Sequence, residues 1–409
     1  MVLSRISLKQ DIRKFLPRRI TALLRKIKYS SGRYNVISVF SYCEKTCIDY
    51  KTIDSERKTT AVAPHFFDSP APIRQSQVPM PETYVAIMGN ADIIGASNII
   101  LAGNYAIYNA PMGENIDYTD SALFLDAHNH CNIGPNTLIY WRRGNRRLKC
   151  AVSLVCNYSH NYYHFVLECI PKLFLLERCG IPSDIPILLD SCVKKIPQFL
   201  SYIDALAGDR TVLFVEHRER VNIEKLYALS PVNIIPPNYI RIDLCKPTDN
   251  LFDELNIRKL RKKMLGLSNR SSVMPRKIFI SRRNQTNRAY NEQEIHGVLN
   301  RFGFISIAPE LMSLAEQIQT FASADWIVAA SGAALTNIVY CHPGCRVLVL
   351  TGIAAELSIF SNIADMLGVQ MTYLSGKADG DEIQTGFYID PSMVERYLKL
   401  EFAGDSVVS

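Results

Sequence analysis

The run NYYHFVLECIPKLFLLE, residues 161–177, sets His164, Glu168 and Lys172 four apart among aromatic and aliphatic side chains. Residues four apart share a helix face, so these three form a polar stripe while Tyr162, Val166 and Ile170 cover another. An imidazole with an ordinary pKa of about 6.5, oriented by a carboxylate, is suited to taking a proton from a hydroxyl near neutral pH. The stripe is read as facing a cleft, with His164 as general base and Glu168 as its orienter or as the base itself. The competing reading is an exposed stripe of ion pairs. Pro171 lacks an N–H, so the Leu167 carbonyl loses its usual helical donor.

Two further segments carry anion-binding chemistry. In AASGAALTN, residues 329–337, a buried strand runs into Ser331 and Gly332 and then directly into a helix. Free N–H groups and the positive dipole end at such a start attract an anion. Ser331, Thr336 and Asn337 could add hydrogen bonds to a sugar or phosphate, or the small residues could simply permit close packing. In SRRNQTNR, residues 281–288, Arg282, Arg283 and Arg288 leave a strand end on the same sheet edge. Guanidinium forks match diphosphate oxygens. Two anion elements at one crevice favour a nucleotide diphosphate, against a solvated arginine loop.

Metal-like spacings are read more blandly. Asp126, His128 and His130 in DAHNH fit a polar loop, and Asp379 and Asp381 in DGD fit a solvated turn. The lone Cys43–Cys47 spacing is too little for zinc. No metal and no cofactor is expected. The absence of G-x-S-x-G, Walker A and G-x-G-x-x-G argues against hydrolases, P-loop enzymes and dinucleotide-dependent enzymes.

These residues need elements to hold them. KIFISR, FISIA, DWIVAA, RVLVLT and QMTYL read as strands alternating with helices, including 292–302 and 356–367. Asn291 with Glu294, and Ser313 with Glu316, are expected helix caps. The alternation implies an α/β fold with a parallel, doubly wound sheet and ligands at the carboxyl ends of its strands. Upstream, short apolar runs between 84 and 109 read as strands joined by tight turns, LKCAVSL, IPILLD and TVLFVE as further strands, and residues 31–80 as largely irregular. The expected units are a basic segment 1–30, an N-terminal acceptor-side domain 31–247, a C-terminal nucleotide-sugar-binding domain 248–376, and a tail 377–409 returning to the N-terminal half.

The 409 residues are 48% hydrophobic and 21% charged, enough for two cores in a soluble protein. No run approaches the roughly 20 apolar residues of a membrane span. No secretory leader is evident. The eleven cysteines are scattered, several in apolar runs, and read as reduced thiols in a cytoplasm. Of the net charge of +7, residues 1–30 carry +8, nine Lys or Arg against Asp11, leaving about −1 for the rest and no expected affinity there for polyanions. Apolar residues from Leu3 to Ile27 recur at helical spacing in that segment, which suits an anionic membrane surface. A solvated tail is the alternative, and no nucleic-acid partner is expected.

NYYHFVLECIPKLFLLE, then ISRRNQTNRAYNEQEI, then PELMSLAEQIQTFASADWIVAASGAALTNIVYCHPG resemble successive motifs of glycosyltransferase family 61, whose bacterial members include capsular polysaccharide biosynthesis proteins. The likeness spans roughly residues 80–375. It implies two Rossmann-like domains facing a cleft, a GT-B-like arrangement, with a nucleotide-sugar donor held mainly by the second. It also implies inverting transfer without a required metal. Glu310, which opens the third motif, joins Arg282, Arg283, Arg288, Ser331, Gly332, Ala333, Thr336 and Asn337 on the donor side. Family members commonly show His-Gly-Ala where this chain has Ser331-Gly332-Ala333. The expected function is transfer from a nucleotide-diphosphate sugar to a polysaccharide or lipid-linked glycan at the inner face of a bacterial plasma membrane. The alternative is a non-catalytic sugar-nucleotide or glycan-binding subunit.

Overall fold

The protein is described by a computed structural model covering residues 29–48, 50–67, 69, 73–108, 120, 122–123, 135–237, 239, 241–267, 274–285, 288–378 and 386–408. Residues 1–28, the DAHNH run (Asp126, His128, His130) and Asp379 and Asp381 lie outside these. No helix among the described residues is long and apolar enough to cross a membrane.

The first half supplies β1 (Tyr29–Ile37), β2 (Tyr50–Asp54), β3 (Arg57–Val62), β4 (Gln75–Met80), β5 (Thr83–Ile94), β6 (Ile99–Ala102), β7 (Tyr105–Tyr108), β8 (Thr137–Ser153), β9 (Ile187–Asp190), β10 (Val212–Val215) and β11 (Glu219–Leu229). Nine of these form one sheet in the order β1-β7-β6-β5-β11-β8-β9-β10, with β2 on β5. β1 also pairs with β8, so the path from β1 to β8 closes into a ring.

The expectation of a Rossmann-like first half holds for one flank of this sheet. There β11, β8, β9 and β10 run parallel, with helical crossovers from β8 to β9 and from β9 to β10. On the other flank β5, β6 and β7 are an antiparallel meander, the arrangement that connections of a few residues between neighbouring strands allow. The expected irregular stretch 31–80 is instead largely ordered, with β1 to β4 and a helix Val39–Thr46 capped by Ser38. β1 is polar and small-residued, YSSGRYNVI, and gains its order from pairing on both edges rather than from apolar alternation.

The second half is the parallel sheet the alternation implies. β12 (Lys277–Ile280), β13 (Ile305–Ile307), β14 (Trp326–Ala330), β15 (Arg346–Thr351) and β16 (Gln370–Ser375) pair in the order β13-β12-β14-β15-β16, every pair parallel. WIVAA is buried throughout, as a strand covered on both faces requires. The order reverses between β12 and β14, and the crevice beyond their carboxyl ends is the natural ligand position in such a sheet.

Ser313 and Glu316 form the expected capping box for the helix Leu314–Ser323. Asn291 does not cap the helix Glu292–Arg301. Its amide bonds both backbone groups of Ile389 instead, at 2.8 and 2.9 Å. The expected helix from 356 begins at Ile359. The tail packs mainly on the second sheet, and Tyr397 also meets Phe67 of the first half with ring centroids 5.2 Å apart. In the helix Pro391–Val408, Val394, Tyr397 and Leu398 pack with Phe279, Val298 and Trp326.

One continuous apolar core joins the halves. Phe165, Phe174 and Leu189 share it with Ile257, Ile278, Phe321, Leu335 and Val349. At its centre Tyr162 donates to Asn337 Oδ1 (2.6 Å) and meets the Tyr202 hydroxyl (2.9 Å), which in turn contacts Tyr340.

Candidate functional site

The stripe segment is not one uniform helix. It runs as Tyr162–His164, then a π-turn Phe165–Cys169, then Ile170–Arg178, with Ile170 N–H donating to Phe165 O. Pro171 is the cause, since it cannot donate back into the preceding turn. Asn233 replaces the missing donor, its Nδ2 bonding the Leu167 carbonyl at 2.7 Å while its Oδ1 accepts from Asp253 N–H.

The turn keeps His164 and Glu168 together. His164 Nδ1 lies 3.0 Å from Glu168 Oε1, and the imidazole side chain is 11% exposed, packed between Tyr158 and Tyr163 with ring centroids 4.9 and 5.0 Å away. With Nδ1 engaged by a carboxylate, Nε2 is the nitrogen left for a substrate. Val166 and Ile170 are fully buried on the opposite face.

His164 lines a cleft of about 1350 Å³, open to solvent, whose far wall is the carboxyl edge of the second sheet. Arg288, Ser331, Gly332 and Ala333 line that wall, with Thr351 and Gly352 at the end of the next strand. The base candidate from one half and the anion elements from the other thus face one space. Glu168 and Lys172 open onto a neighbouring cavity with Ser97, Asn98 and Asn233. Ile235 borders both spaces.

The arginines divide. Arg288 sits at φ 54° in the left-handed region, and its Nη1 donates to Ser331 O at 3.1 Å. Its Nε is buried without a hydrogen-bond partner among the described residues. Burial, with the neighbouring Arg282 charge adding to it, brings its pKa down to about 10. Arg282 is likewise lowered by burial. A Cβ at Gly332 would stand 2.6 Å from Arg282 Nη1, so glycine is what admits that guanidinium to the turn. Two desolvated cations side by side are a strained arrangement that an anion would relieve. Arg283 points elsewhere, exposed, with Nε 3.7 Å from Glu292 and Nη2 3.4 Å from His296.

The rest of the expected donor set is placed less directly. The segment after Gly332 is a 3₁₀ helix, Ala333–Tyr340, not an α-helix. Thr336 and Asn337 are buried within it. Asn337 is taken by Tyr162 and by Gln317 (3.2 Å), and Thr336 Oγ1 has no partner among the described residues. Neither lines the cleft, and Asn337 instead ties Tyr162 of the first half to Gln317 of the second. Glu310 is exposed and accepts from Asn284 Nδ2 at 3.0 Å, beside the arginine loop.

Sequence reasoning passed over Tyr163 and Tyr239, which line the cleft beside His164. Tyr163 Oη is buried without a partner among the described residues, and burial raises its pKa well above the usual range. It also passed over Gly352, where a Cβ would meet Phe387 Cβ at 2.6 Å. The signal for Gly352 was available, since RVLVLTG repeats the strand-then-glycine pattern of WIVAASG. Among the described residues no cluster of three His, Cys, Asp or Glu could hold a metal.

No curated protein matches the chain in sequence. The family model for Glycosyltransferase 61 matches residues 162–348, from the start of the His164 segment through the arginine loop and the glycine turn. Among the cleft residues just described, His164, Arg288 and Ser331 to Ala333 fall within that match and Thr351 and Gly352 lie beyond it, so over this part the chain is similar to glycosyltransferase family 61.

Proposed function

We propose that the protein transfers a sugar, with inversion, from a nucleotide-diphosphate sugar to a hydroxyl of a glycan or glycolipid. The observation that carries this is the shared cleft, with His164 held by Glu168 on one wall and Arg288 beside Ser331 and Gly332 on the other. In this reading His164 Nε2 takes the acceptor hydroxyl proton as that oxygen attacks the anomeric carbon. The bond from that carbon to the diphosphate breaks, and Arg288 and Arg282 meet the charge that develops on the leaving oxygen. These arginines offset the positive charge that a histidine in place of Ser331 would have lent the turn. A divalent cation is then not needed for the leaving group.

The setting proposed is the cytoplasmic face of a bacterial plasma membrane, supported by the charge of residues 1–28. The test is to incubate purified protein with a panel of sugar nucleotides, with and without EDTA, and measure thermal stabilisation and release of nucleotide diphosphate. A binding donor at one hundred times its Kd adds about 2.7 kcal/mol to stability. Stabilisation with slow, EDTA-resistant release supports the reading. Stabilisation without any release favours a binding subunit, and activity restored only by a divalent cation removes the metal-independent step.

A further inference from the structure

Glu168 is held to His164 by one oxygen only. Its Oε1 meets the imidazole, while Oε2 has no hydrogen bond among the described residues, and the side chain is still 17% exposed. One turn further along the same segment Lys172 is half-buried, and no ion pair engages it among the described residues. Asp190 feels the Lys172 charge, but it accepts from the Ala96 and Cys156 N–H groups and does not line the same space. Glu168 and Lys172 both border the cavity beside the cleft, a space of about 750 Å³. Ile93, Val155, Leu229 and Val232 give it apolar walls, and Asn98 and Ser153 add hydrogen-bonding groups. A partly desolvated ammonium without a counter-charge, in an apolar space with a few polar groups, has the make-up of a site for an anionic ligand.

We propose that this cavity is a subsite for the acceptor glycan, and that Lys172 selects an acidic sugar there by binding its carboxylate. The inference rests on the transfer reading, in which the reacting hydroxyl sits at His164. Glu168 links the two spaces, since it holds the imidazole that lines the cleft and itself lines the cavity. Ile235 borders both, so an acceptor that reaches His164 past this side chain has its adjoining sugar in the cavity. There Glu168 accepts from a sugar hydroxyl and repels an acid group. The carboxylate is thereby turned toward Lys172, about 6 Å further along the helix axis. The apolar walls meet the C–H faces of the ring. A single ammonium is a point charge suited to one carboxylate, whereas a diphosphate is matched by guanidinium forks. Arginines line the cleft, and none lines this cavity among the described residues.

The experiment titrates the intact chain with methyl glycosides of glucuronic, galacturonic and N-acetylneuraminic acids, read by ligand-observed NMR. The methyl ester of each is its uncharged counterpart, and glucose 6-phosphate is the phosphate control. At least one acid is expected to bind about tenfold more tightly than its ester, the effect of one contact to a charged group. Lys172→Gln should abolish that preference with its melting temperature unchanged, and Lys172→Arg should keep it in part. Lys172→Met is the neutral variant should the glutamine one melt early. No preference for any acid over its ester overturns the proposal, and so does a preference that survives loss of the lysine charge. Glucose 6-phosphate bound through Lys172 more tightly than every acid overturns the choice of a carboxylate. Release of nucleotide diphosphate from a donor is measured separately. A Lys172-dependent acid preference in a chain that releases none would keep the acidic-sugar site and remove the transfer reading.

Discussion

At the turn of Gly332, the Arg282 guanidinium occupies space that any side chain would deny it, and Arg288 holds the Ser331 carbonyl beside it. Arg288→Ala should weaken binding of the nucleotide diphosphate by about 1.5–3 kcal/mol, the range for a hydrogen bond to a charged group. Arg283→Ala should leave it nearly unchanged, because Arg283 is turned to Glu292 and His296. Calorimetry on the two variants checks both. The three arginines were legible in SRRNQTNR as a class, but which of them turns inward depends on the left-handed backbone at Arg288, which spacing does not encode. Asp190 is a second residue whose role only the fold discloses. It accepts from Ala96 and Cys156 N–H, and burial raises its pKa from 3.8 to about 6. Its native pKa exceeds its unfolded one, so the native chain binds the proton first as pH falls. Stability relative to pH 7 should therefore rise between about pH 6 and pH 4, by at most about 3 kcal/mol. Melting curves across that window should show the trend for the intact chain and lose it in Asp190→Asn.

The π-turn shows how one residue reshapes an element. Pro171 announced in the sequence that the Leu167 carbonyl would lack a donor, and Asn233, 66 positions away, supplies it. Asn233→Leu would strand both that carbonyl and the Asp253 N–H in a buried place, at a cost of about 2–3 kcal/mol. Denaturant unfolding measures the loss, and a change below about half a kcal/mol would show that water replaces the amide without penalty. Period-four spacing was enough to place His164 beside Glu168, since the fourth-residue relation survives the turn. It was not enough to separate an α-helix from the 3₁₀ helix after Gly332. β11 left too weak a pattern to be read, because EKLYAL follows a polar start and its order comes from neighbours on both sides. The buried strands of the second sheet were legible because both of their faces are covered.

The whole molecule is held by a core that ignores the boundary expected near residue 247. Phe252 and Leu260 share that core with Leu167 and Phe174, and Asn362 Oδ1 accepts from the Val62 N–H across the same line. Residues 248–409 expressed alone should therefore fail to fold cooperatively, whereas the intact chain should unfold in one transition; calorimetry of both checks this. Such a core fixes the two walls of the cleft relative to each other, which is what the proposed reaction requires. The central claim is that a base from the first half faces an anion site built by the second. The direct measurement is turnover together with donor affinity in His164→Ala, with Glu168→Gln alongside. The expected result is a loss in kcat of about a hundredfold or more, with donor affinity nearly unchanged and a milder loss for Glu168→Gln if that carboxylate orients the ring. Normal turnover by the folded fraction of His164→Ala, with only a lowered Tm, would contradict the account.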